Sequence, residues 1–204
     1  MTGSMSRLAI GCVAAFGATL SLACAAPAVA QTTVYYGDSA TLTVPVTATI
    51  GVSCGFASTD IPSGSYDAGA IDETAWQHDF TFTLQCTGPS RIGVVSSNGG
   101  LETSPDPSIS GYTSLAPYTV ALHVVRDGGT TDGSCLAADL EASSTATCDL
   151  RGTASDSVGL LVPSMSYDET GSYLRVSAPA YSGSDVLVTG SYSDTLTVTV
   201  SPAA

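Results

Sequence analysis

The stretch Gly190-Ser-Tyr-Ser-Asp-Thr-Leu-Thr-Val-Thr-Val200 decides the fold. From Thr195 onward, Leu196, Val198 and Val200 alternate with Thr195, Thr197 and Thr199. A period of two sends the aliphatic side chains to one face of a pleated strand and the threonines to the other. Val and Thr are also strong strand formers. Residues 190–194 read as a turn passing directly into that strand. The chain therefore closes on a half-buried strand, and whatever lies beside it decides the function.

The same alternation recurs upstream. Residues 40–50 place Leu42, Val44, Val46, Ala48 and Ile50 on one face, and residues 79–86 do so with Phe80, Phe82, Leu84 and Cys86. Ile92, Val94 and Ser96 repeat the pattern, as do Tyr118, Val120, Leu122 and Val124, with shorter runs at 158–162, 173–178 and 185–189. Clusters of Gly, Pro, Asp, Asn and Ser punctuate these runs. No window after residue 30 sustains apolar spacing of three and four, so no helix is expected. Many short strands between regular turns predict an all-β sandwich or barrel. Pro45 interrupts the 40–50 run. Proline removes a ladder donor, which suits an edge or added strand better than a central one.

Residues 1–30 read as a cleaved secretory signal. Arg7 precedes an apolar run over 8–22, and Ala28-Val29-Ala30 supplies the cleavage pattern, so the mature chain is expected to begin near Gln31. No second long apolar run follows, and no membrane-spanning helix is expected. Cys24 raises a lipid anchor, but Leu22 stands where such a box takes a small residue. Cys12 and Cys24 leave with the signal; Cys54, Cys86, Cys135 and Cys148 remain. An even count in an exported chain reads as two disulfides. Three pairings are open. The sequential one, Cys54–Cys86 with Cys135–Cys148, is the simplest, each bridge stabilising by about 3–4 kcal/mol in the chain-entropy model. A zinc site would need closely spaced Cys or His pairs, and the sequence has none.

The formal charge is −13, with 18 acidic residues against five arginines and no lysine; without Arg7 it becomes −14. That balance argues against nucleic acid and against anionic lipid. Long charged side chains are sparse, and a surface of Ser, Thr, Gly and Ala costs little side-chain entropy to order against another protein.

Signals for chemistry are weak. His78 and His123 are the only histidines, and His123 falls on the face opposite Tyr118, Val120 and Leu122, pointing outward. No Gly-x-Ser-x-Gly elbow occurs. Asp72-Glu73 and Asp168-Glu169 are sequence neighbours, whose side chains diverge on a strand, and they read as solvated turns. Residues 127–133, Asp-Gly-Gly-Thr-Thr-Asp-Gly, lack the alternating acid ligands of a calcium hand and read as a turn. Trp76 reads as core or groove-edge packing rather than a sugar platform. No catalytic residue, cofactor or metal is expected.

Taken in order, these features resemble the spore coat protein U family, which includes the archaic chaperone–usher pilins. The resemblance rests on an alternating strand running into Cys54, on Cys86 ending an aromatic-rich strand, and on Gly99-Gly100-Leu101. It continues with Tyr118 to Asp127, Leu174 to Pro179, and the closing Gly-x-Tyr-x-Asp-Thr-Leu-x-Val-x-Val. It spans most of residues 40–200, and only the closing motif is individually specific. It implies an incomplete immunoglobulin-like sandwich over residues 51–204 that lacks its last strand. A periplasmic chaperone would fill the resulting groove, an outer-membrane usher would secrete the subunit, and neighbouring pilin subunits would donate the missing strand. The implied donor side chains are Leu42, Val44, Val46 and Ala48, within a leader and donor segment at 31–50. The implied groove edge is Tyr192, Leu196, Val198 and Val200. The expected function is a structural subunit of an extracellular pilus or coat.

Three departures stand out. The chain ends Ser201-Pro202-Ala203-Ala204 where the family closes on an aromatic residue. Cys135 and Cys148 are additional and read as the staple of a local hairpin. The 31–39 leader, with Tyr35-Tyr36, exceeds a minimal donor strand. The alternatives are a surface- or carbohydrate-binding adhesin of the same family, acting through Trp76, and, last, a secreted β-sandwich enzyme.

Overall fold

A computed structural model describes residues 45, 47–59, 62–104 and 107–203. Ala48 onward forms one compact unit; of the other unit, Met1–Thr47, only Pro45 and Thr47 are described. In chain order the strands are β1 (Trp76–Phe82), β2 (Gln85–Cys86), β3 (Ser90–Ser96), β4 (Leu101–Glu102), β5 (Tyr112–Thr113), β6 (Leu115–Ala116) and β7 (Thr119–Arg126). They continue with β8 (Gly129–Leu136), β9 (Leu160–Val162), β10 (Ser166–Tyr167), β11 (Ser172–Ala178), β12 (Val186–Leu187) and β13 (Leu196–Pro202). The one helical element among the described residues is a 3-10 turn at Ala137–Leu140.

Two antiparallel sheets dominate. One has the order β1-β11-β7-β8 and the other β13-β3-β9, with three two-stranded ladders beside them. No sheet closes on itself, and the arrangement is all-β and compatible with a β-sandwich. The alternation explains the core. Phe82, Val120, Leu122, Val124, Leu174 and Val176 from the larger sheet pack in one buried cluster with Ile92, Val94, Leu160 and Val162 from the smaller. Leu84 and Cys86 continue the buried row of β1 across the short break before β2.

The outer face of the larger sheet carries a polar ladder, because residues on that face stand directly opposite across adjacent strands. Asp79 faces Arg175, Tyr173 faces His123, and His123 faces Asp132. Arg175 donates to both Asp79 oxygens, Nε to Oδ1 at 2.6 Å and an Nη to Oδ2 at 2.7 Å. Those bonds hold the Asp79 carboxyl below the usual carboxylate range. The Arg175 guanidinium lies 4.8 Å from the Tyr173 ring centre, and His123 stacks on Tyr173 at 5.0 Å. His123 therefore points outward, as its position in the alternation predicts.

Both disulfides take the sequential pairing, Cys54–Cys86 and Cys135–Cys148. Two bridges fit an oxidising, exported compartment. No helix among the described residues is long and apolar enough to cross a membrane. The predicted signal at residues 1–30 and the predicted leader at 31–39 lie outside the described residues.

Two expectations need correction. Residues 129–133, read as turn, open an eight-residue strand, β8, that pairs with β7 along its full length. Its residues are small and polar and carry no apolar alternation, so its signal lies in the ladder with β7 rather than in its own pattern. Cys135–Cys148 does not staple a hairpin: it ties β8 to the strand-free loop leading to buried Leu150. Residues 40–44 and 46 of the 40–50 segment lie outside the described residues; Pro45 and residues 47–50 carry no strand in the lone chain, and Ala48 and Ile50 are exposed. A lone two-faced strand gains nothing until its apolar face has something to cover.

Candidate functional site

β13 is an outer strand, paired only with β3 among the described residues. Its unpaired backbone has a definite direction. Val94 N donates to Leu150 O at 2.7 Å, and Gly152 N donates to Val94 O at 3.1 Å, so the Val94 backbone points away from β13. Val198 stands opposite Val94. In an antiparallel ladder bonded and non-bonded pairs alternate. The bonded positions therefore include Thr195, whose carbonyl accepts from Ser97 N at 3.0 Å. The backbone N–H and C=O groups of Leu196, Val198 and Val200 consequently face the open edge.

The side chains of the same three residues are half-buried and pack against the core. Beside Leu196 and Val198 lies a groove of about 430 Å³, whose other walls are Trp76, Phe80, Leu174 and Val176 of β1 and β11 and the extended residues 62–66. A second hollow of about 450 Å³ shares Trp76, Leu101 and Tyr118 with it. Tyr118, Trp76, Tyr66 and Phe80 line the groove, and His78 links the last two rings. Tyr118 and Trp76 are 5.8 Å apart, Trp76 and Tyr66 6.1 Å, Tyr66 and His78 4.4 Å, and His78 and Phe80 4.7 Å.

One end of the groove is fixed by Asp194. Its carboxylate accepts from Ser96 Oγ at 2.6 Å, Tyr118 Oη at 2.7 Å and Ser97 Oγ at 2.8 Å, and from the amides of Asn98 and Thr195. Burial, then the adjacent Asp194 carboxylate, pushes the Tyr118 hydroxyl above its ordinary range, so it stays a neutral donor in physiological solution. Asp194→Ala strands three hydroxyls and two amides. It is expected to destabilise the fold by about 3 kcal/mol, since bonds to charged acceptors contribute about 1.5–3 kcal/mol each and add incompletely. Thermal unfolding should show a midpoint about 6–12 °C lower. An unchanged midpoint would dismiss this role.

The predicted site residues divide clearly. Leu196, Val198 and Val200 lie together on β13, and Tyr192 lines the groove just before it, its hydroxyl donating to Val188 O at 2.8 Å. Leu42, Val44 and Val46 lie outside the described residues, and Ala48 is exposed. Trp76 is only 9% exposed, lies between Tyr118 and Tyr66, and lines both hollows. Among the described residues no group of three or more His, Cys, Asp or Glu is arranged to hold a metal ion. Sequence reasoning missed the Asp194 latch, although Asp194 sits inside the closing motif. It also missed the wall at 62–66, a Gly/Ser-rich stretch whose composition says only loop. No protein-family model, curated protein or solved structure matches this chain.

Proposed function

We propose that this chain is a structural subunit of an extracellular pilus or coat, built on an immunoglobulin-like sandwich that lacks its last strand and assembled by donor-strand exchange. The observation that carries the reading is the edge of β13. Leu196, Val198 and Val200 combine outward-facing backbone groups with half-buried aliphatic side chains beside an aromatic-lined groove. Such an edge invites another strand.

The occupant is the 40–50 segment of a second copy. Leu42, Val44 and Val46 have the period needed to enter the groove while their backbone extends the ladder. Burying three such side chains contributes about 5–9 kcal/mol before the cost of ordering the segment. Insertion is head-to-tail and does not close, so it yields a filament. Before assembly the same edge needs protection, which is the role of a periplasmic chaperone, with an outer-membrane usher as the exit.

Deleting residues 31–46 tests this directly. Unboiled assembled material should run as an SDS-resistant ladder, and the deletion should abolish it. A soluble monomer that the deletion leaves unchanged would sink the reading.

A further inference from the structure

We propose that residues 62–68 form a strap that screens the acceptor groove in the lone subunit and must swing aside when a strand is added. This deepens the donor-strand reading and rests on it. β1 is the outer strand of its sheet, and its free edge would otherwise be open. The strap crosses the side-chain row of β1 in the opposite chain direction: a Cβ on Gly64 would meet Phe80 Cε1 at 3.9 Å, and two residues on, Tyr66 stacks on His78 and tilts against Trp76.

Yet the strap forms no ladder. Its one hydrogen bond among the described residues is local, from Gly69 N to Asp67 Oδ1 at 2.9 Å. Tyr66 ring contacts and partly buried Ala68 hold it against the unit. Gly64 within it and Gly69 just after it stand at φ +137° and +68°, backbone states that favour glycine and make natural pivots. Residues 63–66 are also the groove wall opposite Leu196 and Val198. The side chains of Leu42, Val44 and Val46 would seat in the hollow that this wall lines, so the wall yields as they enter.

The test uses the full mature chain, isolated as monomer, and a dye-labelled synthetic peptide of residues 40–50. Capture is followed by the anisotropy of the dye, and the strap by hydroxyl-radical footprinting of Tyr66. Tyr66 is 38% exposed in the lone chain, so peptide capture should raise its oxidation about twofold. Tyr66→Ala should capture peptide about fivefold faster, the order expected from losing one aromatic pair, while Tyr66→Phe keeps the ring and the slow rate. Because footprinting reads the unaltered chain, a poorly folding Tyr66→Ala does not spoil the test. Capture with Tyr66 equally protected, or at one rate in all three chains, would overturn the strap and leave the groove standing. No capture by any chain would overturn both.

Discussion

A chain carrying Val198→Asp should remain monomeric under conditions where the unaltered chain forms a ladder. In the lone subunit Val198 is half-buried at an open edge, so an aspartate there keeps most of its water. Once a strand is laid against that edge, the carboxylate would be buried without a partner. That costs several kcal/mol, in addition to about 1.5–3 kcal/mol of lost aliphatic burial. A combined penalty near 5 kcal/mol weakens insertion by more than a thousandfold. The informative arm is a mixture. Val198→Asp spoils the groove and leaves the donor; deletion of residues 31–46 removes the donor and leaves the groove. Mixed, the two chains should give a single dimer band that neither gives alone and that never extends. A ladder from the Val198→Asp chain by itself, or monomer only in the mixture, would refute the assignment of donor and acceptor. Near-ultraviolet circular dichroism shows whether the variant is folded.

The second large effect concerns the two disulfides, which are not equivalent. Cys54–Cys86 closes a separation of 32 residues and Cys135–Cys148 one of 13. Loop-closure entropy puts them near 3.7 and 2.9 kcal/mol. The first bridge also anchors a run of main-chain bonds: Ala57 N to Thr83 O, Gln85 N to Gly55 O and Thr87 N to Ser53 O. Phe56 packs edge-on against Phe82 at 5.6 Å beside it. Cys54→Ala with Cys86→Ala is therefore expected to lower the unfolding midpoint by about 7–15 °C, and the Cys135, Cys148 double alanine chain by less. Scanning calorimetry on both chains decides the order. A reversed ranking would show that the loop carrying Leu150 matters more than the 54–86 closure.

The legible parts of the fold were those where one side of a strand is buried and the other is not. β3, β7, β11 and β13 all sit on runs whose alternation placed Ile92, Val94, Val120, Leu122, Leu174 and Val198 on the correct face. β8 shows the opposite case. Its residues, Gly-Thr-Thr-Asp-Gly-Ser-Cys-Leu, have no apolar face, and it is a strand because β7 offers a complete row of backbone partners. The latch shows a third case. Asp194, the Ser96-Ser97 pair and Tyr118 are far apart in the chain, and the alternation that puts Ser96 and Tyr118 on one face of their strands says nothing of which strands lie side by side. The same holds for Tyr66, whose importance comes from resting on Trp76 and His78 rather than from its Gly/Ser-rich neighbours.

From its order of residues alone this chain determined an all-β architecture, the face each apolar-patterned strand buries, a cysteine count that fits an oxidising compartment, and the aliphatic rows at 42–46 and 196–200. Those are local properties: a two-residue period and a cysteine count need no knowledge of distant neighbours. Tertiary structure alone decided which edge of β13 stays open, which way its backbone points, what clasps Asp194 and what leans over the groove. Each of those depends on which strands happen to lie side by side, and hydrogen bonding between strands is blind to side-chain pattern.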